Sequence, residues 1–125
     1  MANIPSEAEL GILTVLWRCG PSTVREVHEA LAKDTGYTST LKQMQLMHEK
    51  GMLRRSERYR SHVYEAAITR EEAQARFAGD LMHRVFDGSV RNLVLGALTA
   101  QRASAEDLAE IRRMFDGFEK RRKSR

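Results

Sequence analysis

Cysteine, aromatic residues and long apolar runs are scarce in this sequence, and each shortage excludes a class of protein. The 125 residues include one cysteine, Cys19, which excludes an internal disulfide framework and a metal site built from several cysteines. No base partner for Cys19 is recognisable in the sequence, so we expect a buried or half-buried structural thiol. Aromatic residues make up only 6%, so aliphatic side chains and methionine must fill the core.

No segment of the sequence is suited to cross a membrane. The longest uncharged apolar stretch, residues 92–101, is far shorter than the ~20 residues that a spanning helix needs. The N-terminus has no basic region, and Glu7 and Glu9 interrupt the apolar residues that follow it, which argues against a signal peptide. We therefore expect a soluble, cytoplasmic protein that does not bind a membrane.

Residue patterns typical of enzymes and metal proteins are also missing. The four histidines, His28, His48, His62 and His83, have neither HExxH spacing nor a comparable ligand spacing. The sequence has no glycine-rich phosphate loop and no recognisable pairing of a nucleophile with a base. We therefore expect no catalytic residues, no metal and no cofactor.

Capping residues and the spacing of apolar residues divide the chain into elements. Hydrophobic residues make up 42% and charged residues 30%, which is enough apolar material for a packed core. A hydroxyl residue followed three positions later by an acid marks a helix start at Ser6 with Glu9, Thr23 with Glu26, Thr69 with Glu72 and Ser104 with Asp107. Helices end at Gly20-Pro21, at Gly51 and at residues 87–89.

The predicted order is three helices, a two-stranded hairpin and three more helices. The first three helices cover residues 7–18, 24 to about 34, and 38–50, and the hairpin pairs 53–58 with 62–66 around a turn at 59–61. The fold class is therefore mainly α with a small β-hairpin.

Positive charge is concentrated around the third helix and the hairpin. Residues 35–62 contain six Lys and Arg against two Glu, an excess of four that equals the net charge of the whole chain, +4. Three helices followed by a basic hairpin is the plan of a winged helix-turn-helix, in which the third helix enters the major groove and the hairpin follows the phosphate backbone. We therefore predict a winged-helix DNA-binding domain at residues 1–69.

The third helix has a polar face opposite an apolar one. With Leu41, Met44 and Met47 facing inward, Gln and Lys side chains that can bond base edges face outward, beside an exposed Leu46 that can contact a thymine methyl group. The predicted DNA-binding residues of the helix are Thr38, Ser39, Thr40, Lys42, Gln43 and Leu46. Those of the hairpin, which suit phosphate contact, are Arg58, Tyr59, Arg60, Ser61 and His62.

The last three helices carry more apolar surface than three short helices can bury among themselves. Such helices usually pack against a partner, most simply a second copy of the chain. We therefore predict a helical dimerisation region at residues 70–125, which makes the protein a homodimer. Its predicted contact residues are Phe77, Leu81, Val85, Leu93, Val94, Leu98, Ile111, Phe115 and Phe118.

Five stretches of the sequence, in the order in which they occur, resemble the penicillinase-repressor family. They are residues 4–17, 37–53, 63–72, 86–90 and 98–108. The resemblance implies a homodimeric, DNA-binding transcriptional repressor that binds a palindromic operator. It also implies that a membrane sensor-protease signal relieves repression by cleavage within the C-terminal region. The chain departs from the family at Gln45-Leu46, where relatives often have basic residues, and in a hairpin turn without glycine.

A second interpretation is a helical protein-interaction adaptor whose basic hairpin binds an acidic protein partner. A repressor binds duplex DNA in a salt-dependent way and prefers one sequence, whereas an adaptor does neither.

Overall fold

A computed structural model describes residues 4–31, 36–58 and 60–123. The elements in these ranges are α1 (Glu7–Cys19), α2 (Val24–Leu31), α3 (Tyr37–Glu49), β1 (Leu53–Arg58), β2 (Ser61–Ala66), α4 (Arg70–Val85), α5 (Val90–Ala100) and α6 (Ala105–Lys123). This is the predicted order, and the fold is a winged helix-turn-helix followed by C-terminal helices. Internal contacts group the chain into two units, one ending at Leu81 and the other beginning at Met82. The predicted boundary at residue 69, between a DNA-binding domain and a dimerisation region, stays a prediction.

The helices begin where the capping patterns predict. Three boxes form both reciprocal hydrogen bonds, namely Ser6 with Glu9, Thr23 with Glu26 and Thr69 with Glu72. At the fourth, the Ser104 hydroxyl accepts a hydrogen bond from the Asp107 backbone N–H at 3.0 Å. Directly after the C-terminal end of α3, Gly51 has φ 85°. Glycine adopts this left-handed conformation without steric cost because it has no Cβ. These caps satisfy backbone groups that a helix end would otherwise leave unpaired.

One hydrophobic core holds the first unit together. It joins α1, α2 and α3 to the hairpin, and its most completely buried side chains are Leu13, Val27, Met44, Met47 and Tyr64. Methionine and aliphatic side chains fill most of the centre, as the composition predicts, together with the ring of Tyr64. Burying one such aliphatic side chain stabilises the fold by roughly 1.5–3 kcal/mol, so the inner faces of the helices determine how they pack.

The hairpin, called the wing below, pairs β1 and β2 antiparallel from Leu53 opposite Ala66 to Arg58 opposite Ser61. Ser61 therefore belongs to β2, so the predicted three-residue turn is wrong by one residue. A two-residue hairpin turn requires left-handed backbone, and Arg60 supplies it with φ 65°. The sequence pattern does not reveal this turn because arginine stands where glycine or asparagine usually does.

A short backbone pairing attaches the wing to the helices. The Ser22 N–H donates to the Tyr64 carbonyl at 2.9 Å, and the Tyr64 N–H donates to the Ser22 carbonyl at 2.8 Å. Because Ser22 lies in the connection between α1 and α2, β2 is tied to the helix-turn-helix by main-chain bonds that do not depend on side-chain identity.

The start of α4 belongs to the first unit. Ala73 is buried, and the Trp17 indole N–H donates to the Ile68 carbonyl just before α4 at 2.9 Å. The Arg70 guanidinium carbon lies 5.6 Å from the centre of the Trp17 ring, within the range of a cation–π contact. The first turns of α4 are thereby fixed against α1.

In the second unit, by contrast, none of the described residues 82–123 is fully buried within the single chain. Its clearest internal contact is between Phe86 and Gly96, where a Cβ on the glycine would lie 3.2 Å from the Phe86 ring. Most of its large apolar side chains therefore face outward in one copy of the protein.

Cys19 is exposed, so the expectation of a buried or half-buried thiol is wrong. Its position continues the apolar face of Ile12 and Leu16, both buried, but α1 ends at this residue. The last turn of α1 lies outside the core, and helical periodicity alone does not show where a core ends.

A half-buried ion pair joins the two ends of the helix-turn-helix. Glu9 is 3% exposed, and its carboxylate both caps α1 through Ser6 and lies 2.8 Å from the Lys50 ammonium, directly after α3. Burial raises the pKa of Glu9, but the hydrogen bond and charge of Lys50, with the hydrogen bonds from Ser6, hold it below its ordinary value of 4.5.

We expect Glu9→Gln to lower the free energy of unfolding by about 1–3 kcal/mol at pH 7. Glutamine can still cap α1, so the substitution isolates the ion pair. Because the folded state lowers the pKa of Glu9, its contribution is complete above the ordinary value of 4.5 and is lost as the pH falls through the lower, folded value. Urea unfolding at several pH values should therefore show the two proteins converging in acid.

Glu26→Gln is the matched control, because Glu26 forms the same capping box with Thr23 on the surface. We expect a clearly smaller decrease for this exposed residue, because solvent screens its interactions. Equal decreases in the two variants would show that the Lys50 pair adds nothing to stability.

Candidate nucleic-acid interface

The outer face of α3 presents the side chains that could contact base edges. Thr38, Ser39 and Lys42 are exposed, and Gln43 is half-buried at the margin of the face. Leu46 is 43% exposed, unusual for leucine and in agreement with its predicted outward position. On the opposite side, burial of Met44 and Met47 holds the helix in this rotation.

Thr40 does not lie on that face. It is 5% exposed, and its hydroxyl oxygen lies 2.9 Å from Nδ1 of His28 on α2. The prediction that Thr40 faces DNA is therefore wrong. The side chain is buried between α3 and α2, and its hydroxyl contacts His28. The spacing of Thr40 from Met44 and Met47 places it on the inward side of α3. The partner of its hydroxyl lies on another helix and has no local signal in the sequence.

The described residues of the wing tip point to solvent. Arg58, Arg60, Ser61 and His62 are exposed, while the predicted contact residue Tyr59 lies outside the described residues. The His62 imidazole lies 3.7 Å from the carboxylate of Glu57 across the hairpin. The positive charge of the wing therefore sits on side chains that are open to a partner.

Some of the Lys and Arg side chains near α3 and on the wing already form ion pairs with carboxylates. Lys50 pairs with Glu9, and Arg54 pairs with Glu65 at 3.1 Å on the strands of the wing. Within the described ranges, Lys42 and Arg55 form no ion pair. The charge available to an external anion is therefore on the outer face of α3 and on the wing.

A groove of about 360 Å³ connects these two surfaces. Ser61 and His62 of the wing line one side, and Tyr37 at the start of α3 and Arg25 at the start of α2 line the other. Sequence reasoning missed Arg25 and Tyr37. Both occupy the first turn of a helix, but only the fold shows that these turns face the wing.

Arg58 also lies near the start of α2. Hydrogen bonds from Thr23, and then the positive charge of Arg58, hold the pKa of Glu26 below its ordinary value. The tip of the wing and the N-terminus of α2 therefore share one electrostatic environment. The structure thus places the start of α3 and the tip of the wing on either side of one groove.

The predicted dimerisation residues differ in exposure. Leu81, Val85, Leu98, Phe115 and Phe118 are exposed, with Phe118 at 64%, and Phe77, Leu93, Val94 and Ile111 are half-buried. Further exposed apolar side chains of the second unit are Val90, Leu95, Leu108 and Met114. Many of the large apolar side chains of these helices are therefore exposed in the single chain.

In the part of the chain that the structure describes, no cluster of three or more His, Cys, Asp or Glu could hold a metal ion. None of the helices in the described ranges combines the length and hydropathy needed to cross a bilayer.

Comparison with known proteins identifies the family. The sequence profile of the penicillinase repressors matches residues 5–117. The chain belongs to the penicillinase repressor family. It is 25% identical to the penicillinase repressor of Bacillus licheniformis over 98% of this chain and 99% of that protein. It is 28% identical to the transcriptional regulator BlaI of Mycobacterium tuberculosis over 90% of this chain and 83% of that protein.

Family membership confirms the resemblance found in the sequence and makes the protein a transcriptional repressor of the BlaI type rather than an enzyme. The winged helix and the C-terminal helices both lie largely within the matched range of residues 5–117.

Proposed function

We propose that this repressor is a homodimer that binds a palindromic DNA operator through its winged helix. The observation that carries this proposal is that the polar face of α3 and the basic wing are both exposed, with a groove between the start of α3 and the tip of the wing. In this proposal, α3 reads base edges in the major groove and the wing contacts phosphates. A membrane sensor-protease signal would release the repressor, as the family resemblance implies.

The chemistry of α3 supports base reading. Gln can bond adenine with two hydrogen bonds, Lys can donate to guanine, and Ser can bond either bases or phosphate. Ser39, Lys42 and Gln43 offer these groups on successive turns of one face. Leu46, further along the same face, adds an apolar contact of the kind that a thymine methyl group accepts.

The chemistry of the wing supports phosphate binding. Arginine offers several N–H donors in a planar fork that matches a phosphate, and Arg58 and Arg60 are both exposed. Ser61 and His62 add neutral or titratable donors beside them. Contacts of this kind position a protein on DNA without reading its sequence.

The apolar surface of the second unit supports a homodimer. Val90, Leu95, Phe115 and Phe118 are each more than half exposed in the single chain. Burying such side chains is worth roughly 1.5–3 kcal/mol each, which a second copy can supply. Two winged helices on a twofold axis would read half-sites about one or more helical turns apart, roughly 10 bp or a multiple.

We expect Lys42→Ala and Gln43→Ala each to weaken binding to the operator by about 1–3 kcal/mol and to change binding to random duplex DNA little. The reason is that a base contact is made in only one sequence. A gel shift with the DNA upstream of the protein's own gene, against a scrambled duplex of equal length, measures both affinities.

Gln74→Ala is the control, since Gln74 is exposed on α4, outside both α3 and the wing. Equal weakening on both duplexes would mean that Lys42 and Gln43 touch only phosphate. A wild-type protein without sequence preference or salt dependence would instead favour the adaptor interpretation.

Removing wing charges should act on all sequences alike. We expect Arg58→Ala with Arg60→Ala to weaken binding to operator and random DNA equally. The slope of log K against log salt should flatten by about 1 for each phosphate that the variant no longer binds. Arg18→Ala with Arg112→Ala removes the same charge elsewhere and should leave the slope nearly unchanged. An unchanged slope in the wing variant would show that the wing does not face DNA.

Charge placed in the apolar surface of the second unit should separate the dimer. We expect Leu98→Asp with Phe118→Asp to sediment as a monomer and to bind the operator about 10²–10⁴ times more weakly, because the second half-site is no longer tethered. Gln101→Asp with Ser104→Asp adds the same charge at exposed polar positions and should remain dimeric. A monomeric variant that binds the operator as tightly as wild type would refute the role of the dimer.

A further inference from the structure

The two ends of α3 are held by different means. At its C-terminal end, Met44 and Met47 are fully buried, and Lys50 is paired with Glu9. At its N-terminal end, Gly36 offers no side-chain hydrogen bond as a cap. Thr40 is the one buried side chain in the described first turn of α3, and its hydroxyl contacts His28. The first turn thus has no fully buried apolar side chain, although Leu41 directly after it packs against the core, and the buried contact that the turn makes is polar.

That contact is part of a chain of side chains between α2 and α3. The Tyr37 ring meets the His28 imidazole edge-on, with 6.0 Å between ring centres and an interplanar angle of 84°. The guanidinium carbon of Arg25 lies 4.8 Å from the centre of the same Tyr37 ring. Three contacts from α2 thus converge on the first turn of α3.

The His28–Thr40 bond does not depend on a single protonation state. A neutral imidazole with its proton on Nε2 accepts at Nδ1 from the Thr40 hydroxyl, whereas a protonated imidazole donates to the hydroxyl oxygen. Threonine can take either part, because its hydroxyl both donates and accepts. The contact is suited to a constant positioning role.

We propose that His28 is a positioning residue that acts through Thr40 to set the orientation of the first turn of α3, and thereby the sequence discrimination of the repressor. The inference rests on the proposed function, in which Ser39, Lys42 and Gln43 read bases. Ser39 directly precedes Thr40, and the residues at the start of a recognition helix are those that contact base edges. A small rotation of this turn displaces a base contact while it leaves phosphate contacts on the wing in place.

The test measures the ratio of operator affinity to non-operator affinity in the full chain. The probes are a duplex that the wild-type protein selects from a randomised library and a scrambled duplex of equal length. Thr40→Val removes the hydroxyl and keeps the shape, and His28→Leu removes its partner. We expect each to lower the ratio about three- to tenfold, with non-operator affinity and salt slope unchanged.

Conservative variants separate positioning from general packing. Thr40→Ser keeps the hydroxyl, and His28→Asn keeps a hydrogen-bonding group near the place of Nδ1, so both should keep the ratio within about twofold of wild type. The double variant Thr40→Val with His28→Leu should be no worse than either single variant, because both remove the same contact. Urea unfolding identifies any variant that is not fully folded at the assay temperature.

An unchanged ratio in folded Thr40→Val and His28→Leu overturns the inference, as does equal weakening on both duplexes. Additive effects in the double variant also overturn it, because the two residues would then act separately. A wild-type protein that selects no sequence from the library would overturn the proposed function itself, a result distinct from the failure of these variants.

Discussion

Burial of one face of α3 is the constraint on which the rest of the first unit depends. A helix that offers its polar face to a partner can be held only from the opposite side. Met44 and Met47 supply that hold in the core, and Lys50 adds an ion pair to Glu9, which itself caps the start of α1. Any arrangement of α1 and α2 must therefore leave a site for two methionines and a carboxylate for the lysine.

Features fixed by nearby residues could be predicted from the sequence. The capping boxes at Ser6, Thr23 and Thr69 need only a hydroxyl and an acid three residues apart, and all three form. The order of elements and the outward position of Leu46 likewise follow from the spacing of apolar residues. The family could be recognised because several short stretches occur in one order along nearly the whole chain.

Features that depend on a distant partner could not be predicted in the same way. Threonine suits contact with DNA, but Thr40 lies one turn before Met44 on the buried side of α3, and its partner His28 lies on another helix. Cys19 follows the apolar period of α1, yet the helix ends there and leaves it exposed. The turn of the wing is shorter by one residue than the sequence predicts, because Arg60 adopts a left-handed conformation that arginine rarely takes.

The wing and the first turn of α3 are held in different ways, and each way suits the DNA contact that is proposed for it. The wing is fixed by main-chain bonds between Ser22 and Tyr64, which tolerate variation in its side chains. Phosphate contact requires charge at roughly the right place, so backbone pairing is sufficient. A base contact depends on the direction of individual hydrogen bonds, and the first turn of α3 is accordingly held by directional side-chain contacts. In the proposed function, affinity and discrimination would therefore depend on different bonds of one domain, and each could vary in sequence while the other is kept.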